Sequence, residues 1–219
     1  MIEIPESFLL SSIGTPFPQV ELALEEPNGL IAVGGELSSE RLIDAYSKGI
    51  FPWYSEDDPI LWYSPDPRMV ITPERLHISK SLQKTLNTNR FEIQLDTDFD
   101  QVIQQCKTIE RKDQNGTWID NKMVAAYSKL HEQGVARSVE VYQDKQLVGG
   151  LYGISMGKVL FGESMFSLVR DASKVAFVYL LENMNYQLVD CQVENPHLKR
   201  LGAFNIQRSA FIQQLQELL

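Results

Sequence analysis

Residues 136–167 read ARSVEVYQDKQLVGGLYGISMGKVLFGESMFS, and here the apolar spacing changes from a helical period of about 3.6 to the strand period of 2. Ser138 to Tyr142, Gln146 to Ser155 and Lys158 to Ser167 are expected as three strands joined by turns at Asp144-Lys145 and Met156-Gly157, an antiparallel meander. Gly149, Gly150 and Gly153 fall inside a strand with no helix following. They speak for close backbone packing and not for a phosphate loop.

On the N-terminal side, Phe99, Val102, Ile103 and Cys106 make an amphipathic helix of Thr97 to Lys107. Met123, Tyr127 and Leu130 do the same for Asp120 to Gln133, with Gly134 as the stop. Ser173 to Met184 is expected as a helix, Tyr186 to Glu194 as a strand and Ser209 to Leu218 as a closing helix. The first third is rich in rings and turn formers. It holds an Asn28-Gly29 turn and a helix from Ser39 to Lys48, capped by Ser38, ended by Gly49 and turning Leu42, Ile43 and Tyr46 inward. Pro65 and Pro67 place a boundary near Asp66, giving a small N-terminal lobe (1–66) and a main domain (67–219). The order of elements predicts an α+β fold, a mixed, largely antiparallel sheet covered by helices, as in acyltransferases of the N-acetyltransferase (GNAT) type.

The 219 residues carry a net charge of −9, which counts against a nucleic-acid coat protein or a polybasic membrane binder. At 43% hydrophobic residues the chain can bury a substantial core. The longest apolar run, Val175 to Leu181, is far short of the ~20 residues that cross a bilayer. The start, MIEIPESF, lacks a basic and apolar leader, so a cytoplasmic protein without membrane contact is expected. Cys106 and Cys191 lie far apart with no histidine at ligand spacing, so neither a metal nor a disulfide is expected.

Strand alternation places Asp190, Gln192 and Glu194 on one face and Val189, Cys191 and Val193 on the other, which makes Cys191 a core residue. Such polar groups on a central strand suggest a cavity wall. Glu163 and Met165 share a face of the neighbouring strand, and Gly162 marks a possible bulge. A carboxylate beside an apolar recess suits a substrate with a cationic group and an apolar side chain. Of the histidines, His77 is read as opening a helix, His131 as ending one and His197 as a loop residue and candidate base. Arg75, Lys80, Lys84 and Arg90 give residues 75–90 a charge of +4, leaving −13 for the remainder, and form a landing strip for a few phosphates. Trp53, Trp62 and Trp118 are candidate stacking surfaces for a base.

EPNGLIAVGGELSSERLIDAYSKGIFPWYS, PILWYSPDPR, GTWI, AYSKLHEQGVARSVEVY, LVGGLYG, FGESMFS, ASK and LVDCQ, in this order, closely resemble the bacterial leucyl/phenylalanyl-tRNA–protein transferase family. The resemblance runs from about Glu26 to about Phe211. It implies an enzyme that moves Leu or Phe from aminoacyl-tRNA to the α-amino group of proteins beginning with Arg or Lys, tagging them for N-end rule degradation; an apolar pocket for these is expected to take Met weakly. It also implies that Trp53 and Trp118 contact the terminal adenosine, and that Glu163, Asp190 and Gln192 form the catalytic and acceptor-binding group. Leu151, Leu160, Met165 and Phe177 are implied to line the amino-acid pocket; Leu160 and Met165 have opposite parity, so sharing it requires the bulge at Gly162.

The chemistry agrees with these residues. An aminoacyl ester is already activated, so peptide-bond formation needs no cofactor, metal or nucleophilic side chain, and positioning is the main task. Gln192 is expected to accept a hydrogen bond from the attacking amine, with Asp190 polarising that amide. Three rival functions remain open to such a chain. An acetyl-CoA enzyme would need a glycine-bearing pyrophosphate loop, and Val169 to Lys174 has no glycine. A tRNA-dependent cell-wall peptide ligase would use another acceptor, and a non-catalytic module would only bind the aminoacyl end.

Overall fold

The computed structural model describes residues 4–55, 57–109 and 119–219. The chain starts with β1 (Leu9–Leu10), β2 (Leu30–Gly34), α1 (Ser39–Ser47), β3 (Phe51–Pro52) and β4 (Leu61–Tyr63), whose strands form a four-stranded sheet in the order β1-β2-β4-β3. Next come β5 (Arg68–Ile71), α2 (Lys80–Leu86), β6 (Glu92–Leu95), α3 (Phe99–Thr108), α4 (Asn121–Glu132) and the meander β7 (Ala136–Gln143), β8 (Gln146–Met156) and β9 (Val159–Ser167). Then follow α5 (Ala172–Asn183), β10 (Leu188–Gln192), α6 (Pro196–Arg200), β11 (Phe204–Ile206) and α7 (Arg208–Leu218). The larger sheet has seven strands in the order β11-β5-β10-β9-β8-β7-β6, with β9 and β10 parallel and the other neighbours antiparallel. This is the α+β architecture that the order of elements predicts.

The helix ends are set by local chemistry. Ser38 Oγ accepts the Arg41 N–H to start α1, and Asp120 accepts the Met123 N–H to start α4. Gly49 ends α1 at φ +71°, a left-handed conformation that glycine adopts without steric cost. Phe99, Val102, Ile103 and Cys106 of α3 are all buried, as are Met123, Tyr127 and Leu130 of α4. Helix α5 is apolar on most sides and lies against β8, where a Cβ on Gly149 would come within 2.5 Å of the Ala172 side chain.

Two apolar layers flank the larger sheet. One gathers α1, α3, α4 and α7 with the small sheet into a continuous core that includes Tyr46, Trp62, Phe161 and Phe211; the other gathers α2, α5 and α6. The change from small to large sheet falls between β4 and β5.

Three irregularities interrupt the larger sheet among the described residues: one leaves Val148 of β8 extra opposite β7, and the other two lie beside the site. Tyr152 pairs with Ser164 and Gly153 with Gly162, leaving Glu163 as the extra residue of a bulge in β9. On β10, Asp190 pairs with Val70 and Gln192 with Met69, so Cys191 is the extra residue there. Gln192 has φ +64°, and β10 ends at it rather than reaching Glu194. The parallel pairing of β9 with β10 spans only Val159–Phe161 against Leu188–Asp190, and beyond it the strands part.

Candidate active site

Where β9 and β10 part lies a cavity of about 450 Å³, with Leu151, Leu160, Met165 and Phe177 in its wall and Trp53 and Gln192 among its lining residues. Leu151 stands opposite Met165 in the β8–β9 register, and α5 contributes Phe177. The extra residue at Glu163 reverses the alternation along β9, which lets Leu160 and Met165 both reach the cavity.

Glu163 is 7% exposed and is the hub of the polar wall. Its Oε1 accepts hydrogen bonds from the Tyr46 hydroxyl at 2.7 Å and from Gln192 Nε2 at 2.9 Å, and its Oε2 accepts from the Tyr127 hydroxyl at 3.1 Å. The two tyrosine hydroxyls also lie within hydrogen-bond reach of each other, and because each carries a single proton that contact competes with one of the bonds to Glu163. Burial pushes the Glu163 carboxyl up to about 7 against the opposing pull of these donors. Burial and the neighbouring carboxylate hold both tyrosines well above their ordinary value, so they act as donors. Sequence pattern alone marks Tyr46 and Tyr127 only as inward-facing residues of their helices. Their signal was a phenol on a buried helical stripe, whose hydroxyl has to find a partner.

Asp190 is fully buried and grips Arg68 with both oxygens, at 2.8 Å to Nε and 2.7 Å to Nη2. Its Oδ1 also accepts the backbone N–H of Gln192 at 2.9 Å. The expectation that Asp190 polarises the Gln192 side-chain amide is thereby corrected: it holds the main chain, and the amide is engaged by Glu163. The left-handed turn at Gln192 also overturns the simple alternation. Cys191 is half-buried at the cavity instead of lying in the core, and burial pushes its thiol far up, so it stays protonated. Glu194 leaves the group altogether and bonds Lys199 and Asn205 at the surface.

Trp53 is 39% exposed at the cavity rim, with its ring edge against Tyr63. Trp62 is fully buried and donates its indole N–H to Gly34, so it offers no stacking surface, and Trp118 lies outside the described residues. Arg75, Lys80, Lys84 and Arg90 are all exposed. Arg90 donates to the Arg170 carbonyl and Thr85 to Asp171, which ties this end of the strip to the start of α5, where Ser173 reaches the cavity, whereas the Arg75 guanidinium lies over the Phe204 ring of β11. His77 precedes α2, whose cap is Ser79, so it does not open the helix. His131 is absorbed by stacking on Phe99 and by the Ala136 carbonyl. His197 is in the first turn of α6, not in a loop, and lines the cavity; burial and then the Lys174 and Arg200 charges lower its pKa. Among the described residues, no three His, Cys, Asp or Glu side chains are grouped to hold a metal, and no helix is long and apolar enough to cross a membrane.

The family model described as leucyl/phenylalanyl-tRNA protein transferase matches residues 70–216, and the model of that family's N-terminal domain matches residues 35–66. A leucyl/phenylalanyl-tRNA–protein transferase of Nitrosospira multiformis is 55% identical over 206 residues, covering 93% of this chain and 88% of the relative. One from Flavobacterium johnsoniae is 53% identical over 203 residues, covering 91% and 95%. Among solved structures, a GCN5-related N-acetyltransferase from Kribbella flavida aligns with a TM-score of 0.40 at 9% identity, over 74% of this chain and 58% of that one.

Proposed function

The chain belongs to the leucyl/phenylalanyl-tRNA–protein transferase family, enzymes that pass an aminoacyl group from tRNA to a protein, and on that premise we propose how this site does so. The cavity takes the Leu or Phe side chain of the donor, Trp53 stacks under the terminal adenine with Trp118, and Gln192 receives the α-amine of a protein that begins with Arg or Lys. The observation that carries this reading is the meeting of an apolar recess with the Glu163–Gln192 pair.

Because Gln192 Nε2 is given to Glu163, the amide oxygen is turned away from that carboxylate and is available to accept an N–H from the incoming amine. With a reference pKa near 8, about a tenth of such amines are neutral at pH 7. The neutral amine attacks the ester carbonyl, a C–N bond forms, the C–O bond to the ribose breaks, and the amine's proton ends on the released ribose hydroxyl. Gln192 disperses the positive charge that builds on nitrogen during attack. Glu163 adds negative potential, which favours a cationic chain end at the cost of holding more of the amine protonated. Asp190 contributes by holding Gln192 in place.

The recess suits Leu and Phe and rejects Met only weakly, since a difference of about one methylene is worth ~1–3 kcal/mol. Arg75, Lys80, Lys84 and Arg90 receive phosphates near the acceptor end, which lets an acidic protein bind tRNA with a local patch. The lobe up to residue 66 brings Tyr46 and Trp53, and the domain from 67 brings the other wall. Dependence on charged tRNA places the reaction in the cytoplasm, and its product is a protein tagged for N-end rule degradation.

The test is acceptor choice. With Leu-tRNA as donor, a peptide beginning with Arg gains one leucine and the same peptide beginning with Glu does not; equal gain by both, or by neither, contradicts the reading.

A further inference from the structure

Arg68 is fully buried, and its surroundings come from three separate parts of the chain. Its guanidinium lies between two rings, 4.7 Å from the centroid of Phe51 on β3 and 4.6 Å from that of Phe211 on α7. Nη1 donates to the Gly49 carbonyl at the end of α1, while Nε and Nη2 take both oxygens of Asp190. With its carboxylate fixed in this way, Asp190 Oδ1 accepts the Gln192 N–H two residues on, closing a short side-chain turn. That turn supports the left-handed backbone at Gln192, a conformation that a non-glycine residue holds only when its surroundings insist on it.

We infer that Arg68 is a positioning residue for aminoacyl transfer: through Asp190 it sets the turn that aims the Gln192 amide at Glu163, and through Gly49 and Phe51 it couples that aim to the N-terminal lobe. This rests on the reading of Gln192 as the group that receives the amine. Lysine cannot reproduce the arrangement, because a single ammonium cannot lie flat between two rings while serving two carboxylate oxygens and a carbonyl in one plane.

The test compares wild type, Arg68→Lys, Gln192→Ala and the double variant, using Phe-tRNA and a peptide beginning with Arg. Arg68→Lys is expected to lower kcat by about 10²-fold, as misplacement of a reacting group does, with KM for Phe-tRNA changed by less than about threefold. In the Gln192→Ala background it should cost nothing further, since its effect passes through that side chain. Losses that multiply in the double variant, or an Arg68→Lys enzyme with unchanged kcat while Gln192→Ala is impaired, overturn this inference alone. A Gln192→Ala enzyme of full activity overturns it together with the reading beneath it. Should Arg68→Lys not fold, Phe211→Leu decides, because it leaves the ion pair and loosens one ring: kcat is expected to fall about threefold with KM held, and an unchanged kcat overturns the inference.

Discussion

Gln192 Nε2 lies 2.9 Å from Glu163 Oε1, across the gap that opens where β9 and β10 stop pairing. Each residue reaches that gap because its own strand is irregular: Glu163 is the extra residue of a bulge, and Gln192 follows one in a left-handed conformation. Two regular strands would have carried these side chains elsewhere. The site is therefore made by departures from the sheet, in keeping with the tendency of bulges to re-aim side chains beside active sites.

Glu163 should make stability fall as pH rises. Its carboxyl is raised from an ordinary value of 4.5 to about 7 in the folded protein, so between those values the native state holds more protons than the unfolded chain. The contribution is full below the lower value and is lost as pH climbs through the upper one, by about 3 kcal/mol in all. Glu163→Gln removes this dependence while keeping the network satisfied, since its amide can donate to the Tyr127 oxygen and its carbonyl can accept from Tyr46. Urea unfolding of both proteins between about pH 5 and pH 8 checks this, and equal slopes would refute it.

Filling the recess should change which amino acid is transferred. Leu151 is buried in the cavity wall opposite Met165. Leu151→Phe takes up space that a donor phenyl ring needs more than a leucyl side chain does. The ratio of kcat/KM for Phe-tRNA over Leu-tRNA is expected to drop about tenfold. A ratio that stays constant would remove Leu151 from the pocket.

Much of this arrangement was legible in the sequence where one rule acts locally. The stripe Phe99, Val102, Ile103, Cys106 reports its helix because period alone decides which residues face inward. The meander was legible from period and turns, and Gly162 pointed to the bulge one residue from where it occurs. The Arg68–Asp190 pair was not legible, because its members stand 122 positions apart and Arg68 follows a proline-rich stretch that hides the strand β5. The turn at Gln192 was missed for a related reason. Alternation is the rule for a regular strand, and only the register against Met69 and Val70 shows where it breaks. Trp62 illustrates the remaining ambiguity, since composition does not separate a tryptophan that packs in the core from one that stacks on a base.

Reversing charge on α2 should act on tRNA affinity and leave chemistry alone. Lys80→Glu with Lys84→Glu changes two exposed side chains one helical turn apart. Binding of Phe-tRNA is expected to weaken, and the slope of log affinity against log salt to flatten by about 1.5 if each lysine meets one phosphate. Single-turnover transfer at saturating tRNA should stay within about twofold of wild type. An unaltered salt slope would take the strip out of the interface.

In the proposed reaction the Gln192 amide, held by Glu163, receives the amine that attacks the aminoacyl ester. This role is tested most directly by mixing the protein with Leu-tRNA and a peptide beginning with Arg and following the mass of the peptide. Wild type is expected to add one leucine, and Gln192→Ala to slow that step by about 10²–10³-fold, the range seen when one transition-state hydrogen bond is removed, with its unfolding transition close to that of wild type. A Gln192→Ala protein that adds leucine at the wild-type rate would contradict the account.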